Sequence, residues 1–191
     1  MILSLLPIPF MDRGEALELL RSYIKNDKLI KHCIATSAIM KELAKELGED
    51  EKRWELLGLL HDIDYELVEG DMNRHGVVGS EILRKYFDES FCETVKHHNY
   101  FIFEPKSKEE IALIASDNIS GLIIACALVK GRKITAVTPK TVKEKFKEKS
   151  FARGCNRDMI ARIEELGISL ERFFEIAIKA LEGVKDELGL E

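Results

Sequence analysis

Glutamine is missing from the chain altogether, while Lys and Glu are abundant. Proteins built for high temperature avoid heat-labile amides and carry surface ion pairs that cost less to desolvate when hot, so this usage points to a thermophile. The four cysteines, Cys33, Cys92, Cys126 and Cys155, show no CxxC spacing. Nothing in that pattern suggests a disulfide framework, so a reducing cytoplasm is the expected compartment. Cys126, inside the apolar run GLIIACALV, reads as a small hydrophobe. A net positive charge is lacking too. The formal balance of −5 argues against general nucleic-acid binding by the whole surface, because neutralising phosphates needs a basic face.

No targeting or membrane-spanning segment is expected either. The first ten residues, MILSLLPIPF, are apolar but carry no basic region and no small-residue cleavage site, and they are too short to cross a bilayer. Met11 is followed by a good helix, DRGEALELLRSYI, so residues 1–11 read as an extension and Met11 as the expected start codon. The expectation is a protein with no membrane association.

What is present is helical periodicity almost everywhere, with no window alternating long enough to make a strand. Leu17, Leu20 and Ile24 mark a first helix; Ile30, Ile34, Ala38 and Leu43 mark a second, stopped at Gly48. Further helices are expected over 51–62, 76–87 and 90–99. Ser107 and Glu110 form a capping-box pattern before a long helix to Val129, and Thr138-Pro139 opens a basic one. Two more follow, over 156–166 and 169–188. With 191 residues, 46% of them apolar, the chain suffices for one all-α domain. A metal-binding bundle is expected over 12–130, with the helices of 131–191 packed on it as a C-terminal extension.

Charge is unevenly spread. From Lys130 to Arg157 there are ten Lys or Arg against only Glu144 and Glu148. A solvated helix face and a local anion site are about equally good readings of this segment.

Chemistry enters with the histidines. His61 is followed by Asp62 at the end of an apolar helix, in LLHDIDYE. A carboxylate there is costly to bury unless it is paired, hydrogen-bonded or bound to a metal. Adjacent residues on a helix differ by about 100° in direction, so the pair can share an ion only if the ion lies between those directions or the helix is ending. His32 sits on an otherwise apolar and basic helix, and Asp117 interrupts the apolar run IALIASDNISGLIIACALV. Two His and two Asp make a mixed nitrogen and oxygen set suited to Zn, Mn, Fe or another divalent ion.

This pattern resembles the HD superfamily of metal-dependent phosphohydrolases, whose signature is His, then His-Asp, then Asp on successive helices. The match falls on His32, His61, Asp62 and Asp117. His75, in HGVVGSEIL, and the pair His97-His98 look like the further ligands of binuclear members. The full spacing is His-x28-His-Asp-x12-His-x21-His-His-x18-Asp. The resemblance therefore implies one or two divalent transition metal ions (Fe, Mn, Zn, Ni or Co), with Asp62 as bridge. The GYP tail of the HD-GYP type is absent, and Asn118 stands where family members often have Lys. Longer strings, including KSFARGCNR, resemble a branch of predicted HD hydrolases, from Met11 onward.

If the resemblance holds, a metal-activated water attacks a small phosphorylated molecule or nucleotide in line. Asp64 or Glu66 are candidates for protonating the leaving group, though exposed loop carboxylates are the favoured reading of both. Arg74 is a candidate phosphate clamp. Lys149, Arg153 and Arg157 are candidates for neutralising substrate phosphate, since two Arg four residues apart can face one phosphate. Phe101, Phe103 and Tyr100 are read as core packing in preference to base stacking. A mixed-valent di-iron oxygenase and a non-catalytic nucleotide-binding module are the alternatives, and a homo-oligomer is compatible with either.

Overall fold

Helices and turns, with no strand, make up residues 11–191, the residues described by the computed structural model. The expected extension falls almost wholly on residues 1–10, outside the described residues. Ten α-helices run in chain order: α1 (Arg13–Tyr23), α2 (Asp27–Leu47), α3 (Glu51–Leu60), α4 (Val77–Leu83), α5 (Glu89–His97), α6 (Lys108–Val129), α7 (Pro139–Lys147), α8 (Arg157–Ala161), α9 (Leu170–Gly183) and α10 (Lys185–Leu188). The fold is all-α.

Local signals account for most of the ends. Asp12 and Glu15 form a capping box at α1, and Ser107 and Glu110 form another at α6. Asp50 and Asp88 cap α3 and α5 through their carboxylates. Gly48, at φ 69°, ends α2 in the left-handed region. The expected helix over 76–87 is shorter, ending at Leu83, and the one expected over 51–62 stops at Leu60. The segment 61–70 instead forms successive tight turns, anchored by the buried Ile63 and Val68.

The two longest helices, α2 and α6, lie at the centre. α6 is apolar enough by length and composition to cross a membrane, yet 72% of its most apolar stretch is buried among its neighbours. Each fully buried Leu or Ile there contributes about 1.5–3 kcal/mol. One continuous apolar core includes Leu20 of α1, Leu60 of α3, Val142 of α7 and Phe173 of α9.

Two sets of close contacts fix the framework around this core. At Gly58, a Cβ would lie 2.7 Å from the Ser37 Cα, so α2 and α3 meet backbone to backbone. The second set centres on Arg157. Its guanidinium donates to the carbonyls of Lys145, Phe146, Glu148, Phe151, Ala152 and Cys155. This corrects the expectation that Arg157 binds substrate: its donors are spent on closing the end of α7 against the turn at 151–155. Replacing Arg157 with Ala would strand those carbonyls and is expected to cost about 2–4 kcal/mol. Lys149→Ala, at an exposed position, should stay within about 0.5 kcal/mol. Chemical denaturation of the two variants checks the contrast.

Candidate metal centre

Five elements converge on one point. His32 comes from α2, His61 and Asp62 from the turn where α3 ends, His75 from the loop before α4, His98 from the end of α5, and Asp117 from α6. The helix does end at His61, which meets the condition under which neighbouring His and Asp can serve one centre.

Asp62 lies between two groups. Its Oδ2 is 3.6 Å from His32 Nε2 and 3.4 Å from His61 Nε2. Asp117 Oδ1 joins the same side, 2.9 Å from His32 Nε2 and 3.7 Å from His61 Nε2. The other Asp62 oxygen, Oδ1, is 3.4 Å from His75 Nε2 and 3.3 Å from His98 Nε2. These donors lie close enough together to hold ions on both sides of one carboxylate.

The outer ring nitrogens are all occupied. His61 Nδ1 donates to Gly58 O at 2.9 Å, and His98 Nδ1 donates to Val95 O. His75 Nδ1 donates to Asp64 Oδ1 at 2.9 Å. Ser120 gives its proton to Asp117 O, so its Oγ accepts from His32 Nδ1 at 3.2 Å. With every Nδ1 acting as donor, each Nε2 is left to face the centre, where it carries either a proton or a lone pair for a metal. The Nε2 atoms of His75 and His98 face each other at 2.9 Å, an arrangement that needs a cation. His61 Nε2 is buried without a hydrogen-bond partner. Imidazoles held through the other nitrogen by carbonyls or carboxylates are the usual form of metal-binding histidines, and the set suits divalent transition metals.

Asp64 corrects one expectation. It is fully buried, not an exposed loop carboxylate, and its Oδ2 accepts from Gly76 N at 2.8 Å and Gly79 N at 2.7 Å. α4 has no capping side chain of its own, and Asp64 supplies that cap from a distance while orienting His75. An acceptor used this fully is unsuited to protonating a leaving group. Gly76 is required beside it: its φ is +78°, and a Cβ would meet Lys96 O at 2.8 Å.

His97 also departs from expectation. The chain turns about 100° between neighbours at the end of α5, so His98 faces the centre and His97 faces away. His97 Nδ1 lies 2.8 Å from Glu110 Oε1, and the ring stacks on Phe103. Arg74 is exposed and does not line the central cavity, so the structure gives it no clamp role. Lys149 and Arg153 are likewise exposed and outside the lining, although Gly154 and Cys155 belong to it. Asn118, in the place of the family Lys, accepts from Asn156 N at 2.8 Å and fastens that turn beside the centre.

The cavity above the metal donors has a volume of about 800 Å³. Residues not singled out from sequence contribute to it, among them Lys28, Tyr65, Met72 and Asn99. Lys28 comes from the first turn of α2, and the folding of 61–72 and 98–101 around the centre brings the other three there.

Electrostatics follow from burial of opposite charges. Burial opposes the His61 charge, but Asp62 and Asp117 hold its pKa up to about 9. His75 is likewise held up to about 10, against its burial, by Asp62 and Asp64. Burial also opposes the Asp62 carboxylate, yet His61, His75 and His98 keep it well below the usual carboxylate range, and Asp117 is lowered by His32 and His61. A histidine whose folded pKa is raised adds stability that is full below its unfolded value, about 6.5, and is lost as pH rises through the folded value. The metal-free protein should therefore melt at lower temperature at pH 10 than at pH 7. Divalent metal affinity should rise over the same interval, because the ion must displace those protons. Thermal melts with chelator and metal titrations at the two pH values check both signs.

Comparison with known proteins agrees with this geometry. The family model described as "HD domain" matches residues 29–122, from α2 through the first two-thirds of α6. The chain is 38% identical over 103 residues to Ribonuclease Y of Clostridium botulinum (strain Hall), covering 52% of this chain and 19% of that protein. It is 39% identical over 103 residues to Ribonuclease Y of Alkaliphilus metalliredigens, covering 52% and 20%. A third, Ribonuclease Y of Lawsonia intracellularis, is 33% identical over 105 residues, covering 52% and 19%. The chain thus spans about a fifth of the length of these relatives. No solved structure matches. Residues 29–122, which carry His32, His61-Asp62 and Asp117, are thus an HD domain, the mark of a family of metal-dependent hydrolases.

Proposed function

We propose that the protein is a phosphohydrolase holding two divalent ions, one among His32, His61 and Asp117 and one between His75 and His98, with Asp62 shared. The observation that carries this reading is the division of the Asp62 carboxylate, Oδ2 toward the first pair of histidines and Oδ1 toward the second. Two ions so held would supply a water activated near neutral pH and offset charge developing on phosphoryl oxygens.

The chain's own groups have distinct tasks. Asp64 keeps His75 in the tautomer that aims Nε2 inward, and Ser120 does the same for His32. Lys28 stands in the cavity wall as a cation for a substrate phosphate. Tyr100 also lines the cavity, and burial together with the nearby Asp117 raises its pKa, so its O–H stays a proton-bearing donor at neutral pH. Glu66 is unsuited as the acid, because both its oxygens accept from the backbone of Lys25 and Asn26.

The substrate class is a phosphoester, either a monoester, a diester or a nucleotide. The relatives' name, Ribonuclease Y, makes a phosphodiester the first candidate to assay. Metal analysis of the purified protein joined to a phosphatase and phosphodiesterase screen tests the reading. His61→Ala and Asp62→Ala should each lose bound metal and turnover together. Full activity in either variant overturns it, and oxygen uptake by an iron-loaded protein without phosphoester turnover would replace it with an oxidative one.

A further inference from the structure

Large apolar side chains are exposed at seven described positions, and three of these, Tyr65 (46%), Met72 (37%) and Phe101 (72%), line the cavity over the metal donors. Phe101 was expected in the core; it is instead the most exposed of the seven. Two more, Leu67 and Ile102, are next in sequence or nearly so to these rim residues. An apolar rim set around a polar, charged floor is unfavourable in water unless a ligand covers it.

Two of the rim rings are braced by neighbouring rings. The Tyr65 ring packs edge-on to His75, with centroids 5.3 Å apart at 87°. Phe101 leans on Tyr100, with centroids 4.6 Å apart at 31°. Rings held by other rings offer planar faces at little entropic cost, which favours a planar ligand over a flexible acyl chain. Asn99, also in the lining, adds a polar feature. Its amide nitrogen donates to Met72 O at 2.7 Å and His75 O at 3.0 Å, which fixes the amide, while its buried Oδ1 has no partner.

We propose that Tyr65, Met72 and Phe101 form a subsite for the planar heteroaromatic base of a nucleoside phosphate whose phosphate lies over Asp62 and Asp117. This rests on the phosphohydrolase reading for where the phosphate goes, but the base subsite can be measured without turnover. A cavity of about 800 Å³ accommodates a mononucleotide. Phe101 is then a specificity-determining residue.

The test is equilibrium binding of the four common nucleoside 5′-monophosphates, ribose 5-phosphate and hexyl phosphate to the metal-loaded full chain. At least one nucleotide should bind about tenfold or more tightly than ribose 5-phosphate, the gain expected from stacking one base. Phe101→Ala should remove most of that difference and leave ribose 5-phosphate unchanged, while Phe101→Trp retains it. Phe101 is exposed, so its replacement leaves the fold intact, which the melting temperature verifies. The proposal is overturned if no nucleotide exceeds ribose 5-phosphate, if hexyl phosphate binds as well as the best nucleotide, or if Phe101→Ala changes nothing. It is also overturned if Phe101→Ala only dissociates a dimer, since the rim would then be a contact between copies. Nucleotide binding without any hydrolysis would instead sink the phosphohydrolase reading and leave the subsite standing.

Discussion

A carboxylate removed from water loses solvation worth several kcal/mol, and it stays ionised only where opposite charge replaces the lost water. Asp62 is in that position. Its side chain is 9% exposed, and four imidazole Nε2 atoms lie within 3.6 Å of its two oxygens. The histidines in turn bring their lone pairs together, which is unfavourable without positive charge between them. Protons supply that charge in the metal-free protein, and metal ions would supply it otherwise. The bundle is arranged around this requirement.

Backbone and side-chain acceptors outside the centre impose the orientation. Gly58 O and Val95 O each come from the last turn of the helix that delivers the histidine they hold. His61 and His98 are therefore positioned by the helix ends themselves. His75 comes from a loop and needs Asp64, which also caps α4, so one carboxylate fixes both the ligand and the helix after it. The close packing of α2 on α3 at Gly58 brings the His32 and His61 rings to a centroid distance of 5.3 Å. Sequence, packing and site chemistry meet at that glycine.

Much of this was legible in the sequence, for identifiable reasons. Asp62 and Asp117 were visible because a charge within an apolar helix has few cheap explanations. The helix starts were visible because capping boxes are local. What escaped depended on geometry beyond the local chain. His97 and His98 cannot be separated by composition, and only the end of α5 sends one inward. Asp64 looked like a loop carboxylate because the turns of 61–70 that bury it have no strong sequence signature. Arg157 resembled a phosphate ligand, since nothing in its sequence indicates that six carbonyls will converge on it. Phe101 resembled core, yet the centre needed an open side and it stands there.

The central claim is that Asp62 serves two ions at once, and the metal content of the purified protein tests it most directly. Elemental analysis after loading and desalting should give two divalent ions per chain for the native protein. With His75 and His98 both replaced by Ala, it should give one, kept by His32, His61 and Asp117. A single ion in the native protein that survives the double replacement unchanged would contradict the account.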